Sequence, residues 1–505
     1  MPDDDRPSQE ESGGRLQEAL TARRDKLERL RTAGVEPFAL GFDPTISAAE
    51  LARRFGDLET GAETGERVKV AGRVLLLRRH GKLSFATLRD GTGDVQLFLT
   101  AADLGEEGYS LVDGLDLGDI VGAEGEVVKT KRGELSVKAS RLTMLSKALR
   151  PLPEKWAGLK DPETRYRRRY LDFATNLDSR RVITARAAML SALRRILDGQ
   201  GFVEVETPAL QSLPGGAVAR PFVTHHAALD IDMYLRIAPE LYLKRLLVGG
   251  LERVYEIGRN FRNEGTSTKY NPEFTMLEAY QAYGDYFTMM DLVEQLFREA
   301  ALAVRGSLLF EFQGRELDMA TPWRRSRLDE LVSEAAGRTL TLSDEAGLRA
   351  AADEHHVYVE KGWAPGKILA ELYEKLVEPN LFQPTWVMDI PREVSPLARP
   401  HRSTPGFTEH ADLVVGGLEI APVYSELTDP DEQRERFELQ RAARAAGDDE
   451  AHTYDEDFVE ALEHGMPPAG GLGFGVDRAL IVLTNATSIR EVILFPHLRP
   501  DPGRG

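Results

Sequence analysis

The 505-residue sequence contains no cysteine. That excludes a disulfide framework and a thiolate zinc site. It also has no apolar run near the ~18 residues that a membrane-spanning helix needs. Positive charge is in deficit: 64 Lys and Arg against 82 Asp and Glu give a net charge of −18. This balance argues against bulk attraction to nucleic acid, so any polyanion must be met by a local basic face. The start, "MPDDDRPSQEESGG", has no basic and apolar secretory signal and reads as an acidic, disordered tail over residues 1–15. Nothing points to an extracellular life, and the cytoplasm is the expected location. The remainder, 42% apolar and 29% charged, is ordinary for a globular chain of two or three domains.

The texture then changes along the chain. Leu16, Leu20, Leu27 and Leu30 fall at helical spacing and predict an amphipathic helix ending near Gly34, within a helical segment over 16–65. Residues 66–148 turn to alternation and Gly-containing turns ("RVKVAGRVLLLRR", "KLSFATLRDGTGDVQLFL"), with a helical patch near Glu106 to Val112. That pattern predicts a small closed β-barrel. A Pro-rich, basic connector spans 149–170, and mixed helices and strands fill 171–505, with helices inserted at about 325–380. The histidines offer no metal site: His225 and His226 are adjacent and so face opposite ways if extended, and His355 and His356 lie in the insertion.

The stretch "FRNEGTSTKYNPEFTMLE", Phe261 to Glu278, reads as two strands joined by a polar loop. Arg262 carries a planar fork suited to phosphate or carboxylate, and Phe274 a flat face on which a base can stack. Taken alone, the stretch is equally an ordinary surface hairpin with an ion pair. Its surroundings are more specific. This stretch resembles motif 2 of the class II aminoacyl-tRNA synthetases, "ETPAL" with its preceding helix resembles motif 1, and "GLGFGVDRAL" resembles motif 3. "PGGAVARPFVTHHAALDIDMYLRIAPELYLKRLLVGGLERVYEIGRNFRNEG", "EVSPLAR", "AAGDDEAHTYDEDFVEALEHGMPP" and "SIREVILFPHLRP" are similar to the lysine-specific members.

The resemblance implies an α+β protein: an N-terminal OB-fold barrel, then a class II catalytic domain of antiparallel sheet flanked by helices. It implies a homodimer, with motif 1 at the interface, that joins L-lysine to ATP as lysyl-adenylate and passes the acyl group to tRNA(Lys). Carried over residue by residue, Arg262 would bridge the lysine carboxylate and the α-phosphate, and Arg478 would cover adenine and approach the γ-phosphate. Phe274 would stack on adenine, Glu264 would help read its edge, and Gly473 and Gly475 would permit close backbone approach. Tyr270 would lie near the ATP phosphates, Gly216 and Glu240 would hold the α-amino group, and Glu278, Tyr280, Tyr424 and Glu426 would surround the ε-ammonium. Magnesium would sit on Asp412 and Glu419, which without the resemblance are simply solvated charges.

In the barrel, Arg78, Phe85, Gln96 and Glu134 match positions that contact the anticodon, with "LRRHGK" and "KTKRGE" as a local basic face. Phe85 reads equally as a core aromatic. Two departures stand out: Tyr270 replaces the family's usual histidine, and Pro422 and Val423 replace a polar and a small residue in the amino-acid pocket. A paralogue that activates a modified lysine or acylates a non-tRNA acceptor would keep the motifs and vary this pocket, although the protein-modifying relatives lack the barrel. A non-catalytic RNA-binding protein would have lost Arg262 or Arg478, and both are present.

Overall fold

The computed structural model describes residues 9–153, 159, 161–445 and 453–500. Residues 1–8 of the expected tail, 154–158 and 160 of the connector, and 446–452 of the "AAGDDEAHTYDEDF" segment lie outside them. The chain divides into two compact units, Met1–Leu177 and Asp178–Gly505.

The first unit begins with α1 (Gln9–Thr32), so residues 9–15, expected in the tail, are helical. Once a helix exists each added residue gains a hydrogen bond, which carries α1 back beyond its leucine-patterned part. After α2 (Ala48–Phe55) come β1 (Glu63–His80), β2 (Leu83–Arg89), β3 (Asp94–Thr100), α3 (Ala101–Gly114), β4 (Ile120–Lys129) and β5 (Leu135–Ser146). The strands close in the order β1-β2-β3-β5-β4. Alternation fills the barrel: Leu88, Leu97, Leu99, Val121, Val127 and Val137 have no exposed surface. The end of the connector is helical from Pro162 on. The chain there forms α4 (Pro162–Arg167), capped by Asp161, and α5 (Arg169–Thr175), which is held to the barrel where Arg89 donates to the Thr175 carbonyl at 2.7 Å.

The second unit opens with α6 (Leu177–Gly199) and the short β6 (Val203–Glu204). The strand stops at Glu204, and the chain goes into a small sheet of β7 (Leu210–Gln211), β8 (Val223–His226) and β9 (Ile231–Leu235). Next come α7 (Glu240–Val248), β10 (Arg253–Phe261), β11 (Glu273–Ala282), α8 (Tyr286–Arg305), the hairpin β12 (Leu309–Phe312) and β13 (Arg315–Asp318), and β14 (Arg324–Arg327). Helices α9 (Leu328–Ala336), α10 (Glu345–Glu354) and α11 (Pro365–Leu376) precede β15 (Thr385–Met388), β16 (His410–Val415) and β17 (Leu418–Ser425). The chain ends with α12 (Pro430–Ala445), α13 (Glu456–Glu463), β18 (Ala469–Gly475), α14 (Val476–Thr484) and α15 (Ile489–Val492).

One eight-stranded sheet, β14-β15-β16-β17-β18-β11-β10-β6, organises this unit. It is antiparallel except at its edges, where β6 runs parallel to β10 and β14 to β15. One face packs on α6, α8 and α14 through Met189, Leu193, Met289, Leu296, Phe297, Leu472 and Phe474. The other face is left to form the floor of a cleft.

Candidate active site

The centre of the sheet builds the site by alternation. On β11, Leu277 and Ala279 enter the core, while Phe274, Met276, Glu278 and Tyr280 line the cleft. On β18, Leu472 and Phe474 enter the core, which leaves Gly471, Gly473 and Gly475 facing the other way, opposite Tyr280, Glu278 and Met276. A Cβ on Gly473 would lie 3.1 Å from the Met276 methyl, and one on Gly471 2.7 Å from the Tyr280 ring. The bare backbone therefore makes a trough between the side chains of β11 and those of β17.

β17 reaches the trough through a bulge. The register with β16 shifts between Leu413 and Val414, opposite Ala421 and Glu419, so Ile420 is the extra residue. Strict alternation would put Glu419 on the opposite face from Pro422 and Tyr424. The bulge brings all three into the cleft, while Val423 is fully buried in the core. Valine therefore does not narrow the pocket, contrary to the expectation from sequence; of the two departures there, only Pro422 touches the site.

The cleft has a volume of ≈ 650 Å³. Gly216, Glu240, Arg262, Glu264, Tyr270, Phe274, Glu278, Tyr280, Asp412, Glu419, Tyr424, Gly473, Gly475 and Arg478 all line it. Arg262 leaves the end of β10 with its amide bonded to the Pro272 carbonyl at 2.8 Å. Its guanidinium carbon lies 5.2 Å from the Phe274 ring centroid, and its buried Nε has no hydrogen-bond partner. An arginine held this way keeps donors free for an anion in the cleft. At the other end, Arg478 donates to the Glu419 carbonyl at 2.8 Å and lies 5.5 Å from the ring of Tyr270. The tyrosine that departs from the family pattern thus stacks on the motif 3 arginine. Asp477 fixes this corner by accepting from the Thr275 amide at 2.7 Å and pairing with Arg186 of α6.

Gly216 sits in the left-handed region at φ 85°, where a Cβ would lie 2.9 Å from Cβ of Glu240. The carboxyl of Glu278 is pushed up to about 8 by burial and by Glu240, although Tyr280 donates to it at 3.1 Å. Deeper still, Glu426 does not line the cleft wall as expected from sequence. Its side chain is 2% exposed and pairs with Lys244, whose Nζ also lies 2.6 Å from Glu240. Burial raises the Glu426 carboxyl to about 7, with Lys244 pulling the other way. His410 also borders the cleft unforeseen: its Nδ1 is 3.0 Å from Ser395 Oγ and its Nε2 3.0 Å from Asp412 Oδ1.

The four barrel residues form a separate cluster on the outer face of their own unit. Arg78 pairs across strands with Phe85, and Phe85 with Phe98. The two rings stack with centroids 5.3 Å apart and planes 8° from parallel. Ser84 and Ala86, not Phe85, face the core. Gln96 donates to Ser136 at 2.8 Å, and Glu134 lies exposed two residues before that serine. Phe98 belongs to this face and was not foreseen; its alternation with buried Leu97 and Leu99 carries the signal.

Comparison with known proteins agrees with this geometry. Residues 161–499 match the family described as tRNA synthetases class II (D, K and N), and residues 68–145 the OB-fold nucleic acid binding domain. A lysine–tRNA ligase of Moorella thermoacetica is 51% identical over 484 residues, covering 95% of this chain and 98% of the relative. One from Syntrophomonas wolfei is 50% identical (97% and 99% covered), and one from Synechococcus sp. strain CC9311 is 52% identical (96% and 100% covered).

Proposed function

Because the chain belongs to the class II tRNA synthetases, and within them to the lysine–tRNA ligases, we propose the following division of labour among its residues. The reaction is the ATP-dependent ligation of L-lysine to tRNA. A lysine carboxylate oxygen attacks the α-phosphorus and expels pyrophosphate, and a hydroxyl of the terminal ribose of tRNA then attacks the acyl carbon and releases AMP. Such displacements depend chiefly on placement and on neutralising charge as it develops.

Arg262 binds the lysine carboxylate and the α-phosphate together and stabilises the five-coordinate phosphorus. Its unpartnered Nε over Phe274 is the observation that carries this assignment. Adenine stacks on Phe274 and is enclosed by Arg478, with Glu264 at its edge. The glycine trough admits the nucleotide backbone-close, and Tyr270 braces Arg478 toward the phosphates. Gly216 and Glu240 hold the α-amino group. Glu278, Tyr280, Tyr424 and Glu426 form the anionic and aromatic end for the ε-ammonium, which disfavours neutral side chains because they would leave buried charge unpaired.

Asp412 and Glu419 suit magnesium. Both offer only oxygen, and nearby Glu378 is pushed up to about 7 by burial and by the charges of Glu419 and Asp412, a crowding that a hard cation relieves. Among the described residues no three His, Asp or Glu side chains meet at metal-ligand spacing, so ATP oxygens would complete the shell. When bound, the ion would neutralise phosphate charge that repels the attacking carboxylate. The outer barrel face, with Arg78, Phe85, Gln96 and Glu134, reads the anticodon.

A homodimer is supported by apolar side chains left exposed around motif 1, among them Val203 (50%), Leu210 (40%), Val223 (60%) and Ile231 (41%). No helix among the described residues is long and apolar enough to cross a membrane, and a cytoplasmic location fits the substrates. Charging of tRNA(Lys) with labelled lysine tests the whole reading. It should proceed with the native chain and stop in Arg262→Ala, and charging that persists in the variant would remove Arg262 from its role.

A further inference from the structure

Within the lysine pocket proposed above, on which this inference rests, one cation is already part of the protein. Lys244 lies on α7, one helical turn after Glu240, and its side chain has no exposed surface. Its ammonium bridges Glu240, at 2.6 Å, and Oε2 of Glu426. The second oxygen of Glu426, Oε1, is buried and has no hydrogen-bond partner. It is wedged at the trough floor, where a Cβ on Gly471 would collide with it and come within 2.7 Å of the Tyr280 ring. An isolated buried carboxylate takes up a proton, and an adjacent ammonium opposes that uptake.

We propose that Lys244 is a positioning residue for amino-acid selection: a resident counter-cation that clamps Glu240 and one oxygen of Glu426 and draws Glu426 toward its charged form, with the other oxygen left unpartnered for the substrate's terminal ammonium. Glu240, Glu278 and Glu426 place three carboxylates around a substrate that brings two ammonium groups. Lys244 balances the third. The groups facing Glu426 are Lys244, Glu240, His410, Tyr280 and Tyr424. Of these, Lys244 is the one in direct ionic contact with its carboxylate.

The consequence has a defined sign. Removing an adjacent positive charge raises the Glu426 pKa, so a larger share of the variant carries a protonated, non-binding Glu426 at neutral pH. In lysine-dependent pyrophosphate exchange, Lys244→Met should raise the KM for lysine about fivefold or more at pH 7, which is what a rise of one pKa unit from about 7 gives. The KM for ATP and the kcat at saturating lysine should stay within about threefold. The ratio of variant to native KM for lysine should shrink steadily from pH 7 to 9. Glu426→Gln should show the loss without that trend, and the double variant Lys244→Met with Glu426→Gln should be no worse than Glu426→Gln alone. The double variant also keeps the test open if Lys244→Met alone fails to fold, because it leaves Glu426 no charge to strand. A pH-independent ratio, a lysine KM within about threefold of native at pH 7, or a double variant much worse than Glu426→Gln overturns the proposal. A native chain without lysine-dependent exchange would instead refute the underlying assignment of the pocket.

Discussion

Glu278 makes lysine binding depend on pH in a direction that can be worked out. Burial and the neighbouring charge of Glu240 raise its carboxyl from 4.5 to about 8, outweighing the Tyr280 hydroxyl and the more distant Arg236 and Arg262. At pH 7 the empty pocket therefore holds it mostly protonated, while the substrate ammonium needs it ionised. Deprotonation at that pH costs about 1.4 kcal/mol, or about tenfold in affinity. Between pH 7 and 8.5 the KM for lysine should fall about eightfold through Glu278, with about a further twofold through Glu426 at about 7. Glu278→Gln should bind lysine more weakly and keep only the smaller fall. Stability moves the opposite way. The raised pKa means that the folded chain binds this proton more tightly than the unfolded one, so the contribution of Glu278 to stability is full below about pH 4.5 and is lost as pH rises through about 8, by roughly 4 to 5 kcal/mol in full. Lysine should restore part of it, shifting the unfolding temperature more at pH 8.5 than at pH 7. The assay is lysine titration of pyrophosphate exchange at several pH values, for the native chain and Glu278→Gln. A KM that is flat or rises between pH 7 and 8.5, or a variant with an undiminished slope, refutes the reasoning.

Arg262→Ala should cost about 3 kcal/mol or more in exchange, over about a hundredfold, with an unchanged unfolding temperature, because the guanidinium is used at the transition state. Phe85→Ala should weaken tRNA charging by roughly 1 to 3 kcal/mol and leave tRNA-independent exchange intact. Phe98→Ala, which removes the stacked partner, should act in the same direction. Pro422→Asn alone should tighten lysine binding about tenfold by restoring a donor, since a hydrogen bond to a charged group contributes roughly 1.5 to 3 kcal/mol. Val423→Gly should add nothing to binding and lower stability by roughly 2 to 4 kcal/mol, because its side chain is wholly buried. Chemical denaturation and lysine titration separate the two.

Most of the cleft is legible through the resemblance of three stretches to the class II synthetase motifs. Arg262, Phe274, Glu278 and Arg478 lie where the hairpin and the glycine-rich strand imply, and the barrel follows from its alternation and turns. The rest depends on features that leave no local mark. Lys244, in "ELYLKRL", carries no local mark of its role, and only tertiary burial against Glu426 reveals it. The bulge at Ile420 inverts the phase of β17, so counting by twos from Glu419 places Val423 in the pocket and Pro422 outside it, the reverse of what is found. Residues 161–170, rich in arginine, read as connector, but the Asp161 cap and the ion pairs of Arg165 and Arg169 with Asp172 hold them in helices. Arg186 lies far from motif 3 in sequence, and its ion pair with Asp477 is visible only in three dimensions.

The most direct test of the central claim is ATP–pyrophosphate exchange by the native chain with each of the twenty amino acids in turn, without tRNA. Exchange should depend on L-lysine, with shorter and neutral side chains far behind, because the trough ends in buried Glu278 and Glu426. Saturation by a different amino acid, or failure of lysine to support exchange while another cationic amino acid does, would contradict the assignment of this pocket to lysine.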